Sequence, residues 1–168
     1  MTIVVATHIL SAMAKRLQDE LKQTRPLGSL EEEVIVGLAR TADALQRCLS
    51  AVLKKGGISP AQYNVLRILR GAGPSGLACR EIGERMVTMD PDLTRLLDRL
   101  EARHLVTRAR DGADRRVVTT RISQVGLELL AELEEPLQAE NRRMLGHMGD
   151  DRLRTLAALL DEARATPS

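Results

Sequence analysis

The sequence predicts a mainly α-helical fold with one small β-hairpin (α+β), and three observations lead to this prediction. Apolar residues recur with the 3.6-residue period of a helix along most of the chain. The period changes to two only within residues 106–122. Aromatic residues are almost absent, with no Phe, no Trp and the single Tyr63. The core is therefore expected to consist of Leu, Val, Ile, Ala and Met, which suits helices.

Length and composition narrow the class of protein. The chain of 168 residues is long enough for one ordinary domain with its own core. Hydrophobic residues make up 43% and charged residues 29%, which is typical of soluble globular proteins rather than of disordered or membrane chains. No apolar run approaches the ~20 residues of a membrane span, so we expect no membrane partner.

The two cysteines, Cys48 and Cys79, are isolated in the sequence. They form no CxxC pair, and no His lies at a metal-ligand spacing from them. We therefore expect no metal, no cofactor and a reducing compartment, which predicts a cytoplasmic protein. The run from Met1 to Ala14 has no cation before its apolar part, which argues against a secretory signal.

End signals place the first helices. Residues 8–22 carry an amphipathic stripe that ends before Arg25-Pro26-Leu27-Gly28. Ser29 and Glu32 form a capping box that opens a long helix, and this helix ends at Gly56-Gly57.

The next helix is marked at both ends. A second capping box, Ser59 with Gln62, has Pro60 at the first helical position. The run Gly71-Ala72-Gly73-Pro74 then stops the helix.

Two short helices joined by about three residues form a helix-turn-helix pattern. The first runs from Cys79 to about Met86, and the turn covers Val87 to Met89. Asp90 is expected to cap the second helix, with Pro91 in its first turn. Spacings of i, i+3, i+4 and i+7 give this second helix one docking face, made of Leu93, Leu96, Leu97 and Leu100.

Arginine occupies the other face of the second helix. All ten cations between residues 79 and 121 are Arg, whose planar fork suits phosphate and guanine edges. Arg95 lies near the helix start, the end that reads bases in the major groove. Thr94 suits phosphate or a thymine methyl, and Asp92 either accepts from cytosine or, as we favour, pairs with Arg95. Phosphate contact or plain solvation is expected of the later arginines, Arg99 and Arg103.

A β-hairpin follows this helix. Residues 106–110 alternate like a strand, Asp111-Gly112 turns the chain, and residues 118–122 bring it back. The tip Asp114-Arg115-Arg116 suits the minor groove, whose narrow A·T stretches attract arginine. We expect Arg116 to insert and Asp114 to shape the turn or hold Arg116. Basic residues in an exposed turn are usually plain surface, and only the order of helix and hairpin favours DNA contact.

The last third of the chain is helical and net acidic. Ser123 opens a long helix to about Met148 with a kink expected at Pro136, and Asp150 is expected to cap a final helix. The apolar stripes of the terminal helices have no remaining partner within one compact domain, which predicts a homodimer. Such a dimer would meet two DNA half-sites about one helical turn, ~10 bp, apart.

Three motifs together resemble the MarR (multiple antibiotic resistance regulator) family of winged helix-turn-helix regulators. They are Leu77-Ala-Cys-Arg-Glu-Ile-Gly-Glu-Arg-Met86, Asp90-Pro-Asp-Leu-Thr-Arg-Leu-Leu-Asp-Arg-Leu-Glu101 and Asp114-Arg-Arg116. The resemblance covers about residues 31–163. It implies a homodimeric regulator of transcription, usually a repressor, that binds double-stranded DNA at a pseudo-palindrome and is often released by a small molecule or by thiol oxidation. It carries Pro91, Asp92, Thr94 and Arg95 over to the major groove, and Asp114 and Arg116 to the wing.

The chain departs from the family pattern at several positions. His104 replaces a usual glycine, which requires a left-handed residue there or a different wing. Ala78-Cys79 lacks the usual capping hydroxyl. The scarcity of aromatics weighs against an effector bound by stacking. A redox switch at Cys79, beside Arg80, or at Cys48 is the less favoured reading, and a small partly buried side chain is favoured for each.

These patterns predict a functional division within one folded unit. Residues 1–28 form an extra helix, residues 29–57 and 123–168 form the helical dimerisation region, and residues 58–122 form the winged DNA-binding region. An enzyme is not expected, because the sequence has no G-x-S-x-G turn, Gly-rich phosphate loop or metal-ligand spacing. A thiol-based redox regulator and a helical interaction module without DNA binding are the alternatives.

Overall fold

The structure is a computed structural model that describes residues 17–25, 27–110 and 118–165. Its contacts divide the chain into two compact units, residues 1–46 and 47–168. The predicted functional division of the chain stays a prediction. The described elements are α1 (Leu30–Lys55), α2 (Pro60–Ala72), a 3-10 turn (Gly73–Ser75), β1 (Leu77–Ala78), α3 (Cys79–Arg85), α4 (Leu93–Ala102), β2 (Val106–Arg110), β3 (Val118–Ile122), α5 (Gln124–Leu145), a second 3-10 turn (Gly146–Met148) and α6 (Asp150–Arg164).

The first unit contains the start of the long helix α1. Residues 17–21 are helical, and the earlier part of the predicted N-terminal helix lies outside the described residues. The Glu32 N–H donates to Ser29 Oγ at 3.2 Å, as the capping box predicts. The Glu32 carboxylate accepts from the Gly28 N–H at 2.6 Å, one residue earlier than a capping box requires. Four large apolar side chains are exposed at this end of α1, namely Leu30, Val34, Ile35 and Leu38.

The second unit is built around helix α2. Both bonds of the predicted capping box are present, from the Gln62 N–H to Ser59 Oγ and from the Ser59 N–H to Gln62 Oε1. Burial of apolar area is the main force that holds these elements together. The buried core consists of Leu53, Ile58, Val65, Leu66, Leu69, Leu77, Ile82, Leu96, Leu97, Leu100, Leu105, Val106, Leu130, Leu133 and Leu137.

The predicted hairpin is confirmed, and it belongs to a three-stranded antiparallel sheet of order β1-β3-β2. Strands β2 and β3 pair from Val106 with Ile122 to Arg110 with Val118. Strand β1 was not predicted. It has two residues, of which Leu77 pairs with Thr120, and two residues are too few to show a period in the sequence.

Two helix starts differ from the sequence prediction. Asp90 does not cap α4; its Oδ1 accepts from the Asp92 N–H at 2.9 Å, and this closes a turn ahead of the helix. The first residue of α4 is Leu93, so Pro91 lies before the helix rather than in its first turn. The final helix has Asp150 as its first residue, and Gly149, with a φ of 73°, takes the capping position. The predicted caps are displaced by two residues and by one residue; at Asp90 the reason is that an Asp side chain bonds equally well to a nearby turn.

Helix α5 runs through Pro136 to Leu145, and its start is confirmed. Ser123 Oγ accepts from the Gly126 N–H at 3.0 Å and donates to the His104 carbonyl at 2.6 Å. Leu130, Leu133 and Leu137 are buried, whereas Leu127 is exposed. None of the described helices is both long and apolar enough to cross a membrane.

Gly126 lies against the backbone at the joint between α4 and the hairpin. A Cβ at this position would overlap the Leu105 carbonyl oxygen and lie 2.8 Å from Ile122 Cγ1. We expect Gly126→Ala to lower the free energy of unfolding by about 2 kcal/mol, because a backbone carbonyl cannot easily move away. Urea unfolding measures this change.

Gly71→Ala is the matched control, because nothing lies within 4 Å of a Cβ built there. The same substitution in helix α2 should stabilise the protein by about 0.5 kcal/mol. Equal effects of the two substitutions would contradict the close approach at Gly126.

Candidate nucleic-acid interface

Helix α4 has the two faces that the sequence predicts. Leu96, Leu97 and Leu100 are buried in the core, and Leu93 packs against it. Thr94, Arg95 and Arg99 are exposed on the other side. The helix therefore docks through leucine and presents arginine and threonine outward.

Arg95 is held loosely beside the start of this helix. Its Nη1 lies 3.4 Å from Asp92 Oδ2, which confirms the favoured ion pair. The two side chains are 77% and 48% exposed, so water screens the pair and it contributes little to stability. Arg95 can therefore exchange Asp92 for a stronger acceptor at small cost. Within the described residues, the structure gives Arg99 no ion pair, and its side chain is exposed.

Arg108 joins the hairpin to helix α4. Its Nε donates to Glu101 Oε2 at 2.8 Å and its Nη2 to Asp98 Oδ1 at 2.5 Å. The side chain is 24% exposed. Partial burial lowers the pKa of the Arg108 guanidinium, but the bonds to Glu101 and Asp98 outweigh this effect and the pKa is raised. The sequence places Arg108 in the strand of residues 106–110, and the structure shows that its two bonds tie this strand to α4.

Arg103 is also a structural residue, which corrects the expectation of phosphate contact or solvation. Its Nη1 donates to the Gly57 carbonyl at 2.6 Å and its Nη2 to the Gly56 carbonyl at 3.3 Å. A cation beside these carbonyls stabilises the C-terminal end of helix α1, where the helix dipole is negative. His104, the next residue, has a φ of 58°, so the left-handed turn is confirmed.

The tip of the wing, Asp114-Arg115-Arg116, lies outside the described residues. The last described pair of the hairpin is Arg110 with Val118. The roles of the three tip residues therefore stay predictions from the sequence.

Helix α3 starts without a side-chain cap, as the sequence predicts for Ala78. Glu81 compensates in part, since its Oε2 accepts from the Ala78 N–H at 2.8 Å. Cys79 packs against the core, and Cys48 Sγ accepts from Arg143 Nη2 at 3.6 Å. Both cysteines are free and half-buried. In the part of the chain that is described, His, Cys, Asp and Glu side chains form no group that could hold a metal ion.

The structure has the architecture of a winged helix-turn-helix protein, which is typical of DNA-binding regulators. A short helix and a turn precede a second helix that docks through leucine, and a hairpin is anchored to that second helix. Residues 56–117 match the model of the MarR family. The regulator TtmR of Methylorubrum extorquens is 33% identical over 82% of this chain and 70% of its own length.

Solved structures agree with this assignment. A MarR transcription factor from Planctomyces limnophilus is 39% identical over 80% of this chain and 98% of its own, with a TM-score of 0.63. The repressor CouR, solved bound to a 23-mer DNA duplex, has the same fold at 24% identity, with a TM-score of 0.74 over 84% of this chain and 99% of its own. The chain belongs to the MarR family of DNA-binding transcriptional regulators, which confirms the family predicted from the sequence, and this family is one of regulators rather than enzymes.

The bonds from Arg108 to Asp98 and Glu101 lead to an unusual prediction about charge. Removing an acidic residue near DNA should strengthen binding by simple electrostatics. We expect Asp98→Asn to weaken it instead, by about fivefold or ~1 kcal/mol, because the hairpin loses one of its two anchors on helix α4. Arg108→Ala should weaken binding further.

Affinity is measured by gel shift on the duplex that the protein protects upstream of its own gene, with thermal unfolding to confirm that each variant folds. Asp151→Asn is the control, because this carboxylate pairs with Arg154 on α6, away from the hairpin. Tighter binding by Asp98→Asn than by the control would show that the charge of Asp98 affects DNA binding and that its bond to Arg108 does not.

Proposed function

We propose that this regulator is a homodimeric repressor that binds a pseudo-palindromic operator. One observation carries the proposal: Thr94 and Arg95 are exposed at the N-terminal end of a helix whose other face is buried. An α-helix fits the major groove, and its N-terminal residues meet the base edges. Helix α4 therefore acts as the recognition helix.

Thr94, Arg95 and Arg99 on the outer face of α4, and Pro91 just before the helix, have separate roles in this proposal. Arg95 leaves Asp92 and donates both arms of its fork to guanine O6 and N7. Thr94 bonds to phosphate or contacts a thymine methyl, and Pro91 packs beside the same groove edge. Arg99, one turn further along, contacts phosphate.

The wing supplies the second contact. Strands β2 and β3 flank the tip in sequence, and Arg108 ties β2 to α4. Arg116 enters a narrow minor groove, Arg115 meets the neighbouring phosphates, and Asp114 orients Arg116. These assignments rest on the sequence and on the anchoring of the strands.

We propose that the exposed apolar faces of the terminal helices pack against a second copy of the chain. Apolar side chains at the start of α1 are exposed, and none of the apolar residues of α6 is fully buried. Helices with an unburied apolar stripe commonly pair across a two-fold axis. The resulting pair of α4 helices matches two half-sites about 10 bp apart.

The repressor role is supported by CouR, which is described as a repressor and was solved on a DNA duplex. Release by a small-molecule effector and cytoplasmic location stay predictions. A redox switch is a weaker candidate at Cys79, because its side chain packs against the core.

Footprinting of the purified protein on the DNA upstream of its own gene tests the proposal. The reactions include a salt series, candidate phenols and peroxide, and sedimentation gives the oligomeric state. A protected palindrome bound by a dimer is the expected result. Absence of any protected site would favour a helical interaction module without DNA binding.

Arg95→Ala should weaken operator binding by about tenfold and relax the preference at one base pair of each half-site. Arg95→Lys should keep part of the affinity but lose the base preference, because lysine has a charge without the planar fork. Gel shifts on the operator and on single-base variants measure both effects.

Arg154→Ala is the matched control, because it also removes an exposed arginine. Arg154 pairs with Asp150 and Asp151 on α6. Its operator affinity should stay unchanged. Equal losses from Arg95→Ala and Arg154→Ala would contradict the assignment of Arg95 to base reading.

A further inference from the structure

The segment between α3 and α4 displays two apolar side chains to solvent. Val87 is 87% exposed and Met89 is 91% exposed. The other large apolar side chains exposed in the described part lie on α1, on the last hairpin strand, and on α5 and α6. The helical ones fall within the region proposed to form the dimer. Val87 and Met89 lie instead between the two helices of the DNA-binding motif, so the dimer does not account for them.

The segment that carries these side chains is held in place. The Val87 N–H donates to Asn64 Oδ1 at 2.8 Å. The Asp92 N–H donates to Asp90 Oδ1 at 2.9 Å, and Met86 packs partly against the core. Because the turn is hydrogen-bonded at both ends, Val87 and Met89 are kept exposed together, and we take this pair as a candidate contact surface.

The two side chains have different surroundings. Val87 borders an open groove with Asn64, Arg67 and Ile68 on helix α2. Met89 directly precedes the Asp90 turn that leads into α4, so it lies at the same end of the helix as Thr94 and Arg95. Met89 is therefore closer in sequence than Val87 to the residues proposed to read bases, and it leads directly into the helix that carries them.

The major groove offers one apolar group at the base edges, the C5 methyl of thymine. Arginine and aspartate read donors and acceptors, whereas an unbranched thioether fits against a methyl group. We propose that Met89 is a specificity-determining residue that packs on a thymine methyl in each operator half-site. This inference rests on the proposed function, because it places α4 in the major groove.

Uracil in place of thymine tests this contact, because the two bases differ only in the C5 methyl. The intact protein selects its preferred duplex from a random library, and each thymine of that duplex is then replaced singly by uracil. The native protein should bind about fourfold more weakly when the contacted thymine of a half-site is replaced. Met89→Gln, a polar side chain of similar length, should bind the thymine and uracil duplexes equally.

Two further variants separate a methyl contact from other effects. Met89→Leu keeps an apolar side chain and should retain the preference for thymine. Val87→Ala, the control on the same segment, should also retain it. The salt dependence of binding should not change in Met89→Gln, because no phosphate contact is lost.

Equal binding of every uracil duplex by the native protein would overturn the proposal, as would a thymine preference that survives in Met89→Gln. Loss of the preference in Val87→Ala alone would move the contact to Val87 and overturn the role of Met89. Failure to select any duplex would overturn the proposed function itself. That outcome is distinguishable, because it appears before any thymine is replaced.

Discussion

The direction in which Thr94, Arg95 and Arg99 face depends on the burial of the leucine face of helix α4. Leu96, Leu97 and Leu100 are at most 5% exposed, and each contributes about 1.5–3 kcal/mol by leaving water. This packing sets the rotation of α4 about its own axis. Arg95 then points outward because its position in the helical period leaves it no other direction. The exposed ion pair with Asp92 is too weak to set that direction.

The arginines of this region divide into two groups with different physical roles. Arg108 and Arg103 make charge-assisted hydrogen bonds to carboxylates or carbonyls and hold the hairpin and the end of α1 in place. Arg95, in the first turn of α4, and Arg99, in its last turn, are exposed on the outer face of the helix. The net charge of +2 describes neither group, because Arg108 is balanced by two acidic neighbours, whereas Arg103 bonds to uncharged carbonyls. Order and anchoring therefore decide the capacity for DNA contact more than basicity does.

Local signals predicted most of the fold. The starts of α2 and α5 were correct because Ser59 and Ser123 bond to N–H groups three residues away, within one turn. The leucine face of α4 and the hairpin followed from their periods. Asp90 was misassigned because its carboxylate closes a turn instead of capping the helix. Strand β1 and the Arg103 contact were missed because their partners, Thr120 and Gly57, lie more than 40 positions away in sequence.

The sequence by itself determined the family, the kinds of elements and which residues of α4 face outward. Periodicity, caps and turn residues act over a few positions, so they can be read without coordinates. The tertiary structure decided which arginines remain exposed and able to bind a partner, and which make hydrogen bonds within the protein. It also showed that Met89 is exposed beside the start of α4. Both facts depend on neighbours brought together by packing, and no local pattern encodes such neighbours.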